Sequence, residues 1–385
     1  MTTAEATNSG DCTCGRRRSR KKTLLGMGLL GAAVIVIPAV VMVLPGSQSD
    51  IKSDETVVFY PTYAHLDADG KTWTVPVHGV IYEPEEDSTR RGLLVEAIRA
   101  TLAVDADTDE GKILQRRIRL FLVDNERGKD ISIRLDGQTY EAGTSAANGH
   151  FSRTLQLPAT AEAGWLVFEA ITRRNDERRF AGRVQLIAPQ GLSIISDVDD
   201  TIKHTQVRDH EAMLRNTFLR EFKPVPGMAE LYRDCAARGI VFHYVSGSPW
   251  QLYPALATLF GPDGYPLGSF HLKYFRLTDA SALNLLLSQE KTKTEAIEPI
   301  LAAFPQRRFI MIGDSGEQDP EIYGTIARKH PKQIVAVCIR NVTAEKPDNE
   351  RFRNAFKGFG DTRSILFEQA DELRLLLDEL QEPVK

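Results

Sequence analysis

The sequence predicts an α/β fold with a parallel sheet, preceded by an N-terminal transmembrane helix and a β-sandwich-like domain. Three observations predict it. A basic cluster, Arg16-Arg17-Arg18-Ser19-Arg20-Lys21-Lys22, stands before an uncharged stretch at 24–44, long enough to cross a bilayer as a helix. Between 57 and 189, short runs that alternate apolar and polar residues are separated by turn residues. From Gly191 onward, apolar runs alternate with helical segments, the pattern of a parallel sheet. The expected organisation is a basic tail at 1–22, an anchor at 23–44, a linker at 45–56, the β-sandwich-like domain at 57–189 and a catalytic domain at 190–385.

The amino terminus reads as an uncleaved anchor. Pro38 interrupts the apolar stretch, and Val41-Met42-Val43-Leu44-Pro45-Gly46 holds no small-residue cleavage site. Positive-inside asymmetry keeps the basic cluster cytoplasmic and sends the remainder across, so a single-pass membrane protein with a non-cytoplasmic catalytic domain is expected. Gly26-Met27-Gly28-Leu29-Leu30-Gly31 matches a dinucleotide-binding pattern, but no strand precedes it and it lies inside the apolar stretch. The net charge of −4 leaves no basic footprint for nucleic acid. Of the four cysteines, Cys235 and Cys338 read as small buried hydrophobes.

In the β-rich region strands are expected at 57–60, 73–77, 118–123, 131–135, 151–157 and 165–171, with Asp136-Gly137 and Asn148-Gly149 as turns. Segments 96–104 and 111–117 have helical character. Asp105, Asp107 and Asp109 alternate like a calcium loop, but Gly111 comes late and Arg116 stands where a closing glutamate is needed. A solvated acidic loop is the better reading. In the second half, strands are expected at 192–196, 240–245, 309–312 and 334–339. Helices are expected at 228–238, 249–260, 291–304 and 319–328, with an amphipathic closing helix at 366–380.

Four motifs sit at strand ends or helix starts. Asp197-Val198-Asp199-Asp200-Thr201 follows the first apolar run. Side chains two apart on an extended segment share a direction, so Asp197 and Asp199 are expected to face one site. Two carboxylates that close repel unless a cation or a proton sits between them. Ser246-Gly247-Ser248-Pro249 places hydroxyls and free N–H groups at a helix start, where an anion is favoured. Lys293 begins another helix, and Asp314 to Asp319 ends a strand in acids, although Asp319 before Pro320 also fits a helix cap. Together they predict a divalent metal, a nucleophile and a general acid, the equipment of phosphoryl transfer.

The order of these motifs resembles the haloacid dehalogenase superfamily of phosphohydrolases. More closely, Ser196-Asp197-Val198-Asp199-Asp200-Thr201-Ile202-Lys203, Tyr244-Val245-Ser246-Gly247-Ser248-Pro249-Trp250-Gln251-Leu252 and Gly313-Asp314-Ser315-Gly316-Glu317-Gln318-Asp319-Pro320-Glu321-Ile322-Tyr323 resemble the signature of the actin-patch-protein phosphatidate phosphatases. The resemblance covers 191–342; Gly149-His150-Phe151 upstream is loosely similar to bacterial members, and the anchor is not part of the family pattern. It implies a haloacid-dehalogenase-like sheet, with Asp197 as nucleophile and Asp199 as acid and then base. It also implies Mg²⁺ on Asp197, the Asp199 carbonyl and Asp314, with Asp319 tuning the metal or holding Lys293. Ser246, Gly247 and Lys293 would hold the phosphoryl group, and Thr201 would fix the loop. Asp200, Lys203, His204 and Glu317 belong to the signature without assigned chemistry.

The implied substrate is a phospholipid, phosphatidate, at a membrane, hydrolysed to diacylglycerol and phosphate; the partner of the β-rich domain is unknown. A phosphatase for soluble phosphomonoesters and a non-enzymatic membrane-anchored binding protein stay open as alternatives. Phe218, Leu219 and Phe222 read as core rather than a lipid contact, whereas Trp250 and Tyr253 fit either the core or an acyl or headgroup pocket.

Overall fold

A computed structural model describes residues 49–84, 89–275 and 290–381. Its first strands are β1 (Thr56–Phe59), β2 (Thr62–Leu66), β3 (Thr72–Glu83), β4 (Asp124–Asn125), β5 (Asp130–Leu135), β6 (Gln138–Thr144), β7 (His150–Pro158), β8 (Gly164–Ala170) and β9 (Ala181–Leu186). They join one nine-stranded sheet in which β3 pairs with β1, β2, β4 and β7, all antiparallel, and β2 runs parallel to β9. Along β3, Trp73, Val75 and Val77 are buried while their neighbours are not, the period of two that a half-buried strand requires. Phe59 closes that core edge-on to Phe151 and Phe168, with ring centroids 5.6 and 4.9 Å away.

Two helices, α1 (Thr89–Leu102) and α2 (Asp109–Arg119), interrupt the strands. The strand expected at 118–123 is absent. Thr108 caps α2 by accepting the Gly111 N–H, and Leu114 and Ile118, four apart, are its buried face, so Ile118 closes a helix instead of opening a strand. Asp105, Asp107 and Asp109 are exposed.

The fold class needs correction at the amino terminus. Among the described residues no helix is long and apolar enough to cross a membrane, so the fold is stated without a transmembrane helix. The expected anchor at 23–44 lies outside the described residues, as does the Gly26–Gly31 pattern, and the single-pass localisation that rested on it falls with it.

The second half is a mixed α/β arrangement around six parallel strands: β10 (Leu192–Ser196), β11 (Val241–Pro249), β12 (Ser269–Lys273), β13 (Arg308–Asp314), β14 (Ile334–Arg340) and β15 (Arg363–Phe367). Helices α3 (His210–Phe218), α4 (Met228–Ala237), α5 (Tyr253–Leu256), α6 (Glu290–Ala303), α7 (Asp319–Lys329), α8 (Glu350–Phe356) and α9 (Arg374–Gln381) accompany them. The strand order is β12-β11-β10-β13-β14-β15, so the winding reverses between β10 and β13. In an open parallel sheet, the crevice at the carboxyl ends of those two strands is where ligands bind. Both faces are covered: Ile194, Ile310 and Ile312 enter one core, while Ile195 and Met311 enter the other.

One buried arginine ties the two halves. Arg307 donates from Nε to Ser193 Oγ at 2.6 Å, from Nη1 to the carbonyls of Ala188 and Gln190 at 2.8 and 2.5 Å, and from Nη2 to that of Leu192 at 2.9 Å. Arg307→Met would strand these acceptors out of water, with an expected loss of about 2–4 kcal/mol. A urea titration checks it: the midpoint falls while its slope stays constant.

The described residues form one compact unit. Within it, Tyr60 of the first sheet lies 4.2 Å from the Trp250 ring and 5.2 Å from Tyr253, and His78 lies 4.8 Å from Trp250. Trp250 is thus spent on the seam between the sheets. Phe218, Leu219 and Phe222 are buried in cores, as are the free thiols of Cys235 and Cys338.

Candidate active site

The crevice between β10 and β13 is lined by acids. Asp197, the residue after β10, is held by its own N–H, which donates to the Ile312 carbonyl of β13 at 2.8 Å. Its side chain is buried, and neither carboxylate oxygen has a hydrogen-bond partner among the described residues. Lys293 Nζ stands 2.8 Å from Asp197 Oδ1 as an ion pair outside hydrogen-bond geometry. Asp314 ends β13. Its Oδ1 accepts the N–H groups of Gly316 and Glu317 at 2.6 and 3.3 Å, and its Oδ2 is left bare. Carboxylate oxygens of Asp197, Asp314 and Glu317 lie within 4.8 Å of one another.

Lys293, from the first turn of α6, is enclosed by acids: Asp197, Glu317 at 2.8 Å, and Asp319. Asp319 opens α7 and accepts the Asp314 N–H on Oδ2 at 3.1 Å while Oδ1 takes Lys293. Gly313 permits that approach, because a Cβ there would fall 2.2 Å from Asp319 Oδ2. Asp319 therefore anchors the lysine and the β13 backbone, and Glu317 takes the place in the acidic cluster.

Asp199 is turned elsewhere. Its Oδ1 accepts from Lys203 Nζ at 2.5 Å and Thr205 Oγ1 at 2.9 Å; its Oδ2 accepts from Ser246 Oγ at 2.9 Å and Ser248 Oγ at 3.0 Å. The extended spacing expected for Asp197 and Asp199 is lost in a tight loop: Asp200 has φ +53°, and Ile202 and Lys203 both donate to the Val198 carbonyl. The Asp200 carboxylate gathers the N–H groups of Thr205, Gln206 and Val207 at 2.8, 2.9 and 2.7 Å, a structural duty. Thr201 is buried beneath the loop with its hydroxyl unpartnered among the described residues, and His204 is exposed. Gly247 and Ser248 line a small cavity beside Asp199.

The environment splits these acids into two kinds. Burial pushes Asp197 well above the usual carboxylate range; Lys293 opposes the shift, and Asp319, Glu317 and Asp199 add to it. Burial raises Asp314 too, reinforced by Asp319, Glu317 and Asp197. Glu317 is pushed up to about 7 by burial, against the pull of Lys293. For Asp199 burial acts upward as well, but the Lys203 charge and the hydrogen bonds of Lys203, Ser246 and Thr205 bring it down to about 2. Burial alone would lower Lys293; Asp197, Asp319 and Glu317 outweigh it and keep the ammonium charged. Desolvated carboxylates with bare oxygens, collected at one point, have the donor chemistry of a divalent-cation site, and the oxygen donors suit a hard ion. The sequence signature contained Glu317, Lys203 and Thr205's neighbours; it could not show that Glu317 joins Asp197, or that Lys203, Thr205 and Ser248 surround Asp199.

Residues 192–341 match the family model described as phosphatidate phosphatase APP1, catalytic domain. This segment is similar to the APP1 catalytic domain. The match begins with β10 and ends just after β14, so it contains every acid of the crevice. Phosphatidate phosphatase APP1 of Saccharomyces cerevisiae is 38% identical over 160 residues, 40% of this chain and 26% of the yeast protein. An uncharacterized protein of Schizosaccharomyces pombe is 30% identical over 172 residues, 44% of this chain and 28% of that protein. The chain thus spans little more than a quarter of the length of these relatives. A solved structure of phosphoserine phosphatase in apo form covers 48% of this chain and 96% of its own, at 14% identity and a TM-score of 0.30, too slight a likeness to argue from.

Proposed function

We propose that this chain is a Mg²⁺-dependent phosphatase that hydrolyses phosphatidate to diacylglycerol and phosphate. The observation that carries the reading is the pair of buried carboxylates, Asp197 with both oxygens bare and Asp314 with Oδ2 bare, at the sheet's switch point inside the segment that matches the APP1 catalytic domain. Asp197 would attack phosphorus and carry the phosphoryl group as an aspartyl-phosphate. Asp199 would give a proton to the leaving oxygen and then take one from the water that opens the acyl phosphate. An incoming phosphate brings negative charge against Asp199 and raises its proton affinity from the resting value. Lys293, Ser246 and the Gly247 backbone would hold the phosphoryl oxygens, Thr201 would steady the loop, and Asp319 would keep Lys293 in place. Asp197, Asp314 and Glu317, with the Asp199 carbonyl, would hold the ion. When bound, it offsets the charge of the acids and of the phosphoryl oxygens.

What supports the lipid is the similarity to the phosphatidate phosphatase APP1 catalytic domain. Phosphate release from phosphatidate in mixed micelles, set against soluble phosphomonoesters with Mg²⁺, tests it. A higher kcat/KM on phosphatidate is expected; a preference for soluble esters would leave a phosphatase with a different substrate.

A further inference from the structure

We propose that Lys203 is a positioning residue, which holds the Asp199 carboxyl on the leaving-group side of the site and away from the Asp197, Asp314 and Glu317 cluster. The assignment rests on the phosphatase reading above. Among the described residues two lysines are fully buried, and they divide the acids between them. Lys293 is paired with Asp197, Glu317 and Asp319, whereas Lys203 meets Asp199 at 2.5 Å and the Thr205 hydroxyl at 2.6 Å. Burying a second ammonium is costly unless it is paired and hydrogen-bonded, and here a carboxylate and a hydroxyl both take it. Lys203 Nζ also stands 4.7 Å from the Phe222 ring centroid, so an aromatic face takes the side that no acid occupies.

The cradle is built into the backbone. The Asp200 N–H donates to the Lys203 carbonyl at 2.8 Å, His204 N–H donates to Lys223 at 2.9 Å, and Asp200 clamps the three amides that follow. Lys203 and Thr205 approach one oxygen of Asp199, Ser246 and Ser248 the other, so the plane of the carboxyl is set by four donors from two segments. Beside it opens a small cavity where Val207, Met213, Leu214 and Leu252 meet Thr205, Gly247 and Ser248. In the step served, the Asp197–phosphorus bond forms as the phosphorus–alcohol bond breaks, and the leaving oxygen keeps the electron pair and takes the Asp199 proton. A carboxyl misplaced by the loss of Lys203 fails at that transfer, and at the later activation of water, and leaves attack by Asp197 intact.

The test compares an alkyl phosphomonoester, whose leaving oxygen needs the proton, with a nitrophenyl ester, whose leaving oxygen does not. In the full chain with Mg²⁺, Lys203→Met is expected to slow alcohol release from the alkyl ester in a single turnover by about 10²-fold, the size of a general-acid contribution. The nitrophenolate burst of the first turnover is expected to slow by less than about 5-fold, while steady-state turnover falls on both esters because the same carboxyl serves the hydrolysis of the acyl phosphate. Thr205→Val and Ser248→Ala should show the same contrast at smaller amplitude, and they carry the test if Lys203→Met does not fold. Equal losses in the first turnover of the two esters, a change in KM alone, or no loss would overturn the assignment. A wild-type chain that releases phosphate from neither ester nor from phosphatidate would sink the phosphatase reading itself, a failure distinguishable from those three.

Discussion

Asp197→Asn is expected to lower phosphate release by about 10⁴-fold or more, ~5 kcal/mol of activation free energy, while the fold stays intact. An amide of nearly the same shape cannot supply the anionic oxygen that attacks phosphorus. Nothing in the packing opposes the change. Both oxygens of Asp197 lack hydrogen-bond partners among the described residues, and its charge is disfavoured by burial and by three neighbouring acids. Removing the charge therefore relieves repulsion, although it also takes one counterion from Lys293, which keeps Glu317 and Asp319. Steady-state turnover together with a thermal melt checks both halves. Turnover near the wild-type rate would remove Asp197 as nucleophile, and a lowered melting point with partial activity would make it a structural acid.

Withdrawal of divalent metal should stop turnover and also change how stability depends on pH. The folded-state affinity of Glu317 for a proton is raised, to about 7 from an ordinary value of 4.5. Between those values the folded chain binds more protons than the unfolded one, so stability falls as pH rises and the full penalty is present above 7. The shift corresponds to ~3 kcal/mol at most. Asp197 and Asp314 act in the same direction. Asp199 has the opposite sign, since its stabilisation is present above 3.8 and is lost as pH falls through about 2, below the window in question. Metal-free protein should accordingly show a lower urea midpoint at pH 7.5 than at pH 5. Mg²⁺ at a hundred times its dissociation constant should add ~2.7 kcal/mol at the higher pH. Identical midpoints with and without Mg²⁺, or turnover that survives chelation, would remove the ion from this site.

Much of the parallel sheet was legible because its central strands are short apolar runs buried on both faces. The first, Leu192–Ser196, has the ends that the hydrophobic run suggests. The two strands that the sequence does not announce, Ser269–Lys273 and Arg363–Phe367, mix serine, histidine, lysine or arginine with their apolar residues. The second runs into the first two residues of the helix expected at 366–380; α9 begins only at Arg374. The run at 118–123 misled for a related reason, since a helix end followed by buried Phe121 has the texture of a strand. The acids of the candidate site were legible as strand-end punctuation, but their grouping was not. Which carboxylates meet depends on a left-handed residue at Asp200 and on the close approach that Gly313 allows, and neither is visible as a spacing.

The neighbouring positions of β10 and β13 also bear on how the site comes into being. The strands are adjacent in the sheet, yet β11, β12 and several helices lie between them along the chain. Pairing them requires a long loop closure, a slow event whose entropy is lost before its contacts form. Until it is complete, Asp197 has no Asp314 or Glu317 beside it. During refolding, cation affinity should therefore emerge with the last, non-local step rather than with the early local helices. Competence to bind the ion would mark a finished fold.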